Sequence, residues 1–235
     1  MKTIYFLFAL FFIFTSCSVS NLVNKSLENN GIYSDEINYE KNLIKDGKLV
    51  KLIPLRHLGT PNYYDNLKNT LSKYQKSGYV VYYEMLKKED SIDNYLRKFR
   101  KITSLKTNLE DKSQTDYKKI LFERVRKIDA DFEFKKELIP QPNYDNLILD
   151  MKNSKNVDIT TEQFVTEYER LYGLVLLDSC DYINNWEKTS CITNQLKGLD
   201  KITIDFRNSN VIYETVLSSN NNILILYGEA HMKGI

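Results

Sequence analysis

The chain is poor in the residues from which compact sites are most often built. Among 235 residues there are three cysteines, two histidines, one tryptophan, eight glycines and four prolines. So few cysteines exclude both a disulfide-dense mini-domain and a Cys₄ zinc site. The scarcity of glycine and proline excludes collagen-like and Pro/Gly-rich disordered chains. An excess of one charge is missing too, since 33 basic side chains face 31 acidic ones. A concentrated basic face is what nucleic-acid binding requires, so no nucleic-acid partner is expected. No apolar run reaches the ~20 residues of a membrane-spanning helix. What is present is enough chain for one sizeable core, with Asn, Lys, Ile and Tyr in abundance.

The longest apolar run, Ile4 to Phe14, has eleven residues and follows the basic start Met1-Lys2. That length suits the apolar region of a secretory signal. It leads into Phe14-Thr15-Ser16-Cys17, which resembles the lipobox of bacterial lipoproteins, where cleavage precedes a cysteine that is then acylated with palmitate-type chains. The expected organisation is therefore a signal peptide over residues 1–16, lipidation at Cys17, and a flexible tether over 17–40. Several acyl chains anchor stably where one does not. The protein is thus expected to be exported and held on a membrane of the bacterial cell envelope. The alternative is an ordinary signal peptide with an incidental cysteine. Cys180 and Cys191 flank the single Trp186. In an exported protein they read as a disulfide worth roughly 3 kcal/mol, or else as two reduced, small apolar side chains.

From residue 41 to 235 the patterning is α/β. Lys48 to Leu55 (KLVKLIPL) reads as a strand. Thr60-Pro61 starts a helix, Tyr63, Leu67, Leu71 and Tyr74 mark its inner face, and Ser77-Gly78 ends it. Tyr79 to Met85 is an aromatic, β-branched strand, completing a βαβ unit with parallel pairing. A helical insertion is expected over about 87–172, with stripes at Ile92, Tyr95, Leu96 and Phe99 and at Ile120, Val125 and Ile128. Within it, Thr160 or Thr161 caps a helix over Gln163 to Leu171. Phe206 to Ser218 is a helix with Ile212 and Val216 facing the core, and Ile223 to Tyr227 (ILILY) is a buried strand. The expected fold is an α/β domain with a mixed or mainly parallel central sheet and flanking helices. A helix normally covers such a last strand, so the chain reads either as cut short after Ile235 or as covered there by something else.

Both histidines follow strands. His57 comes just after the first expected strand and His231 just after the last, while Glu84 closes the strand between. Ligands of open parallel sheets bind outside the carboxyl ends of the strands. Two imidazoles and a carboxylate can hold a divalent ion such as Mn, Co or Zn and activate water, or run acid–base chemistry without one. Glu229, beside His231, is the substitute carboxylate. Each residue alone also has an ordinary reading, as a capped or surface side chain.

Four stretches together, His57 to Tyr64, Tyr82-Tyr83-Glu84, Arg207-Asn208 and Gly228 to Ile235, resemble the TraB/PrgY/GumN and Tiki family. The wider clan includes erythromycin esterases and haem-binding lipoproteins. The family carries two GxxH motifs at strand ends and a Glu closing the strand after the first. Gly228 to His231 matches the second motif, whereas Pro54 stands at the glycine position of the first. The resemblance covers about residues 48–86 and 200–235. It implies an α/β core and, for Tiki members, metal-dependent peptidase activity. Carried over, it implies His57, Glu84 and His231 as the metal set, with Arg207 as a supporting cation. Three readings follow: a lipid-anchored metal-dependent hydrolase of peptide or ester bonds, a non-enzymatic lipoprotein binding haem or a metal, or a degenerate member keeping only the fold. Tyr63, Tyr64, Tyr79, Tyr82 and Tyr83 could stack on a flat small-molecule ligand, or simply pack.

Overall fold

In the computed structural model of the chain, residues 19–37, 41–45, 47–87, 93–103, 116–148, 150–182 and 198–235 are described. The apolar run, Cys17, Trp186 and Cys191 lie outside them. In chain order the elements are α1 (Val19–Asn29), β1 (Lys41–Lys45), β2 (Lys48–Leu55), β3 (Leu58–Gly59), α2 (Pro61–Lys76), β4 (Val80–Tyr83), α3 (Asp93–Thr103), α4 (Tyr117–Arg126), β5 (Ile139–Pro140), α5 (Tyr144–Leu147), β6 (Ser154–Asn156), α6 (Thr161–Tyr172), α7 (Arg207–Leu217) and β7 (Asn222–Gly228). A π-helical segment, Lys201–Phe206, runs directly into α7, and one 3₁₀ turn, Glu229–His231, follows β7. The chain divides into two units, Met1–Ile37 with Arg56–Asn69 and Gln114–Leu147, and Asn38–Leu55 with Thr70–Ser113 and Ile148–Ile235.

The first unit contains a helix where a tether was expected. An eleven-residue polar helix is marginal alone, so α1 depends on what holds it. Ser20 donates to Asp129 Oδ2 from its N–H at 3.0 Å and its hydroxyl at 2.5 Å, Asn24 donates to the Glu133 carbonyl at 2.9 Å, and Lys135 pairs with Glu28. A small core of Tyr33, Leu58 and Leu138 packs with Leu27, Leu121 and Phe134. The expected stripe at Ile120, Val125 and Ile128 fails: only Val125 is buried, Ile120 lies on the outer side of α4, and Ile128 falls beyond the end of that helix and is 75% exposed. The N-terminal turn of α2 forms as its sequence requires, with Thr60 Oγ1 accepting from the Tyr63 N–H at 3.1 Å.

The second unit is the expected α/β core. Its five strands lie in the order β1-β2-β7-β4-β6. Strand β2 pairs parallel with β7, β4 with β7 and with β6, and only β1 is antiparallel. The apolar ILILY run is the central strand, its side chains buried from Ile223 to Tyr227 as a strand packed on both faces requires. The βαβ reading needs one correction. Strands β2 and β4 run parallel but do not pair, because β7 lies between them. The most apolar strand takes the most buried slot, whatever its place in sequence. Among the described residues the ladder of β1 along β2 reaches Leu52, two positions short of Pro54, which has no N–H to give to one.

The expected helical insertion is not a separate helical block. Strand β6 joins the main sheet, while α4, β5 and α5 belong to the first unit. Helix α6 has the expected cap, as a full capping box: Thr160 Oγ1 accepts from the Gln163 N–H at 3.0 Å, and Gln163 Oε1 accepts from the Thr160 N–H at 2.8 Å. Helices α3 and α6 and the π segment share a core of Phe99, Ile102, Phe164, Val165, Tyr168 and Ile202. In α7 the inward face is Asn208 and Val211; Ile212 and Val216 are exposed, against expectation. A polar residue, Asn208, is drawn inward and turns the apolar pair out.

Candidate active site at the carboxyl edge of the sheet

Three parallel strands deliver side chains to one edge of the second unit. The Glu84 N–H donates to the Leu226 carbonyl at 3.2 Å, carrying the ladder one residue past β4 and leaving the carboxylate at the strand end. Asp158 follows the end of β6 by two residues and is buried. Beyond β7 the 3₁₀ turn folds His231 inward, where it too is buried. Arg207 heads α7 at the exit of the π segment, a local distortion of the kind that recurs at functional sites.

These groups form one network. Arg207 Nη2 donates to Glu84 Oε1 at 2.6 Å and to Asp158 Oδ2 at 2.5 Å, and its Nε donates to Asp158 Oδ1 at 2.9 Å. Burial alone would lower the Arg207 pKa, but its hydrogen bonding to Asp158 and the charges of Glu84 and Asp158 outweigh it and hold the guanidinium protonated well above its ordinary range. The Gly228 N–H donates to Glu84 Oε2 at 2.5 Å. His231 Nε2 stands 3.6 Å from Glu84 Oε1, while its Nδ1 is 2.6 Å from Asn208 Oδ1. The Asn208 amide N–H donates to the His231 carbonyl at 3.3 Å. Tyr227 meets the imidazole edge-on, with centroids 5.2 Å apart.

Glu84, Arg207 and His231 thus come together as expected. Asp158 and Asn208 complete the network without having been assigned a role from sequence. The strand before Asp158 is three polar residues, SKN, and carries no hydrophobic pattern that would mark its end. Glu229 lies on the exposed side of the 3₁₀ turn. His57 belongs to the first unit, where it is exposed, with Nδ1 3.0 Å from Gln141 Oε1 and its ring stacked on Tyr117 at 4.9 Å. Cys180 is disulfide-bonded.

Two carboxylates against one guanidinium leave the network one positive charge short when both are ionised, a charge that His231 would supply on taking up a proton. A divalent ion is the other candidate. Glu84 Oε1 and His231 Nε2 face each other closely enough to share one at bonds of about 2.0–2.2 Å. Catalytic zinc sites, however, use three protein ligands, and among the described residues no group of three His, Cys, Asp or Glu is placed to hold a metal. Glu84 Oε1 also already takes Arg207, which would set a guanidinium against the ion. The donors of this unit therefore do not fit a catalytic metal by themselves. They suit acid–base chemistry beside a fixed positive charge. No family model, curated protein or solved structure matches the chain.

Proposed function

We propose that the protein is a lipid-anchored hydrolase of the cell envelope acting on peptide or ester bonds, with Glu84, Arg207 and His231 as its reacting and charge-stabilising groups. The observation that carries the reading is the meeting of three functional side chains, from positions 84, 207 and 231, at the carboxyl edge of a parallel sheet. His231 is the proton carrier through Nε2. Glu84 balances the imidazolium that forms. Arg207, held in place by Asp158, supplies positive charge for an oxyanion. The resemblance to the TraB/GumN and Tiki group motivates the choice of acyl and peptide bonds, and His57 enters the set through that resemblance and through its place after a strand.

The test is hydrolysis of a panel of chromogenic esters and fluorogenic peptides by the purified protein, with and without added Mn²⁺, Co²⁺ or Zn²⁺. Metal content is measured alongside. Glu84→Gln and His231→Gln should each lower turnover by about 10²–10⁴-fold, the range of general acid–base catalysis. Activity that needs added metal and is lost in His57→Ala would make the ion and its third ligand part of the machine. A second reading is favoured by burial: side-chain exposures of 9% at Glu84 and 5% at His231 suit a structural clamp in a degenerate member. Unchanged turnover in both variants, or none in the wild type across the panel, supports that reading. A haem absorption band would instead support the ligand-binding lipoprotein.

A further inference from the structure

The protonation of the His231 ring is set by a backbone carbonyl, through Asn208. A carbonyl oxygen can only accept, so the Asn208 group 3.3 Å from the His231 carbonyl has to be the amide N–H₂. That leaves Oδ1 as the Asn208 atom 2.6 Å from His231 Nδ1. An amide oxygen is also only an acceptor, so Nδ1 carries the proton. Turning the amide over would set oxygen against oxygen at the carbonyl, which fixes its orientation. Asn208 is itself buried, as is the ring it holds. Gly234 makes the arrangement possible, because a Cβ at that position would fall on the Asn208 amide nitrogen.

We infer that Asn208 is a positioning residue that holds neutral His231 in the Nδ1–H tautomer, so that Nε2 is the basic nitrogen and faces Glu84. An imidazole in water favours the opposite tautomer, with the proton on Nε2. Without Asn208 the ring would turn a proton, not a lone pair, toward the carboxylate side of the site. The inference deepens the proposed hydrolase by naming what prepares its base, and it is read from the ring nitrogens, independently of turnover.

The chain has two histidines, so the full-length protein labelled with ¹⁵N-histidine gives two imidazole spin systems, and His57→Gln assigns them. Long-range ¹H–¹⁵N correlation at a pH where both rings are neutral should give His231 a pyrrole-type Nδ1 and a pyridine-type Nε2. A pyridine-type Nδ1 in the wild type overturns the inference without any variant. Asn208→Asp keeps an acceptor at the ring and should keep the tautomer. Asn208→Ala should move it toward Nε2–H, and in an active protein should lower turnover by about 10²–10⁴-fold. Retention of the Nδ1–H pattern in a folded Asn208→Ala protein would overturn the role. An inactive wild type with the Nδ1–H pattern counts against the hydrolase alone, and an active one with the Nε2–H pattern against the inference alone.

Discussion

Gly228 and Glu84 approach each other more closely than most side chains would allow. The Gly228 N–H donates to Glu84 Oε2 at 2.5 Å, and a Cβ on Gly228 would stand 3.0 Å from that same oxygen. A side chain at position 228 would thus press on the carboxylate, which is held between the backbone N–H and the Arg207 guanidinium. Glu84 receives a defined position from two opposite sides, one neutral donor and one charged.

Gly228→Ala is therefore expected to cost stability by overpacking. The added methyl has to push the carboxylate away from the N–H, an effect of about 1–3 kcal/mol in well-packed sites. Urea unfolding of wild type and variant measures it. A variant as stable as the wild type would show that Glu84 can move aside and is not pinned.

Asp158 holds Arg207 through two near-parallel hydrogen bonds, and its side chain is fully buried. Bidentate pairing of this kind gives direction as well as energy. Without Asp158, Arg207 still faces Glu84, so the loss is two charge-assisted hydrogen bonds, about 1.5–3 kcal/mol each. Arg207→Met strands two buried carboxylates at once and should cost at least the ~3–5 kcal/mol of a broken buried pair in denaturant unfolding, more than Asp158→Ala. Equal destabilisation by the two variants would mean that Glu84 gains nothing from the guanidinium.

Much of this edge was legible from sequence, for identifiable reasons. Lys48 to Leu55, the Thr60-Pro61 helix start and the ILILY strand each carry strong local signals, and residues beyond strand ends follow from them. Strand order was not legible, since the insertion of β7 between β2 and β4 is a long-range outcome of burial. Strand β1 did carry a signal, Asp46-Gly47 between two lysines, the dipeptide of a two-residue hairpin, and Gly47 has the positive φ of 79° that such a turn requires. Helix α1 reads as a polar tether because what orders it, Asp129 and Glu133, is more than 100 positions away. The burial of Asn208 was not legible, because it depends on His231, a partner that periodicity does not see.

Cys180 is expected to be joined to Cys191, leaving Cys17 for acylation. Peptide mapping without reductant should give one cross-linked pair, 180 with 191, and a mass at Cys17 that carries lipid and is lost in Cys17→Ser together with membrane attachment. A cross-link to Cys17, or membrane attachment that survives the substitution, would overturn the anchor. Reduction should cost roughly 3 kcal/mol on the chain-entropy account. It should not detach the neighbouring loop, because Arg97 and Arg100 donate to the Asp181 carbonyl at 2.6 and 2.8 Å, and Lys101 pairs with the Asp181 carboxylate at 2.5 Å.

Acid should loosen α1 through Asp129. Hydrogen bonds from the Ser20 hydroxyl and then the Ser20 N–H hold the Asp129 carboxyl below its ordinary value of 3.8. A folded-state value below the unfolded one means that, on acidification, the unfolded chain takes up the proton first. The contribution is therefore complete above 3.8 and is lost as pH falls through the lower folded value. Amide exchange over Val19–Asn29 should accelerate across that window, and the Asp129 carboxyl carbon, followed by NMR, should titrate within it. Ser20→Ala removes the hydroxyl donor and should shift the Asp129 midpoint upward toward 3.8. If the midpoint stays where the wild type has it, Ser20 is not what holds the carboxylate, and α1 is fastened by its other contacts, Asn24, Leu27 and Glu28 among them.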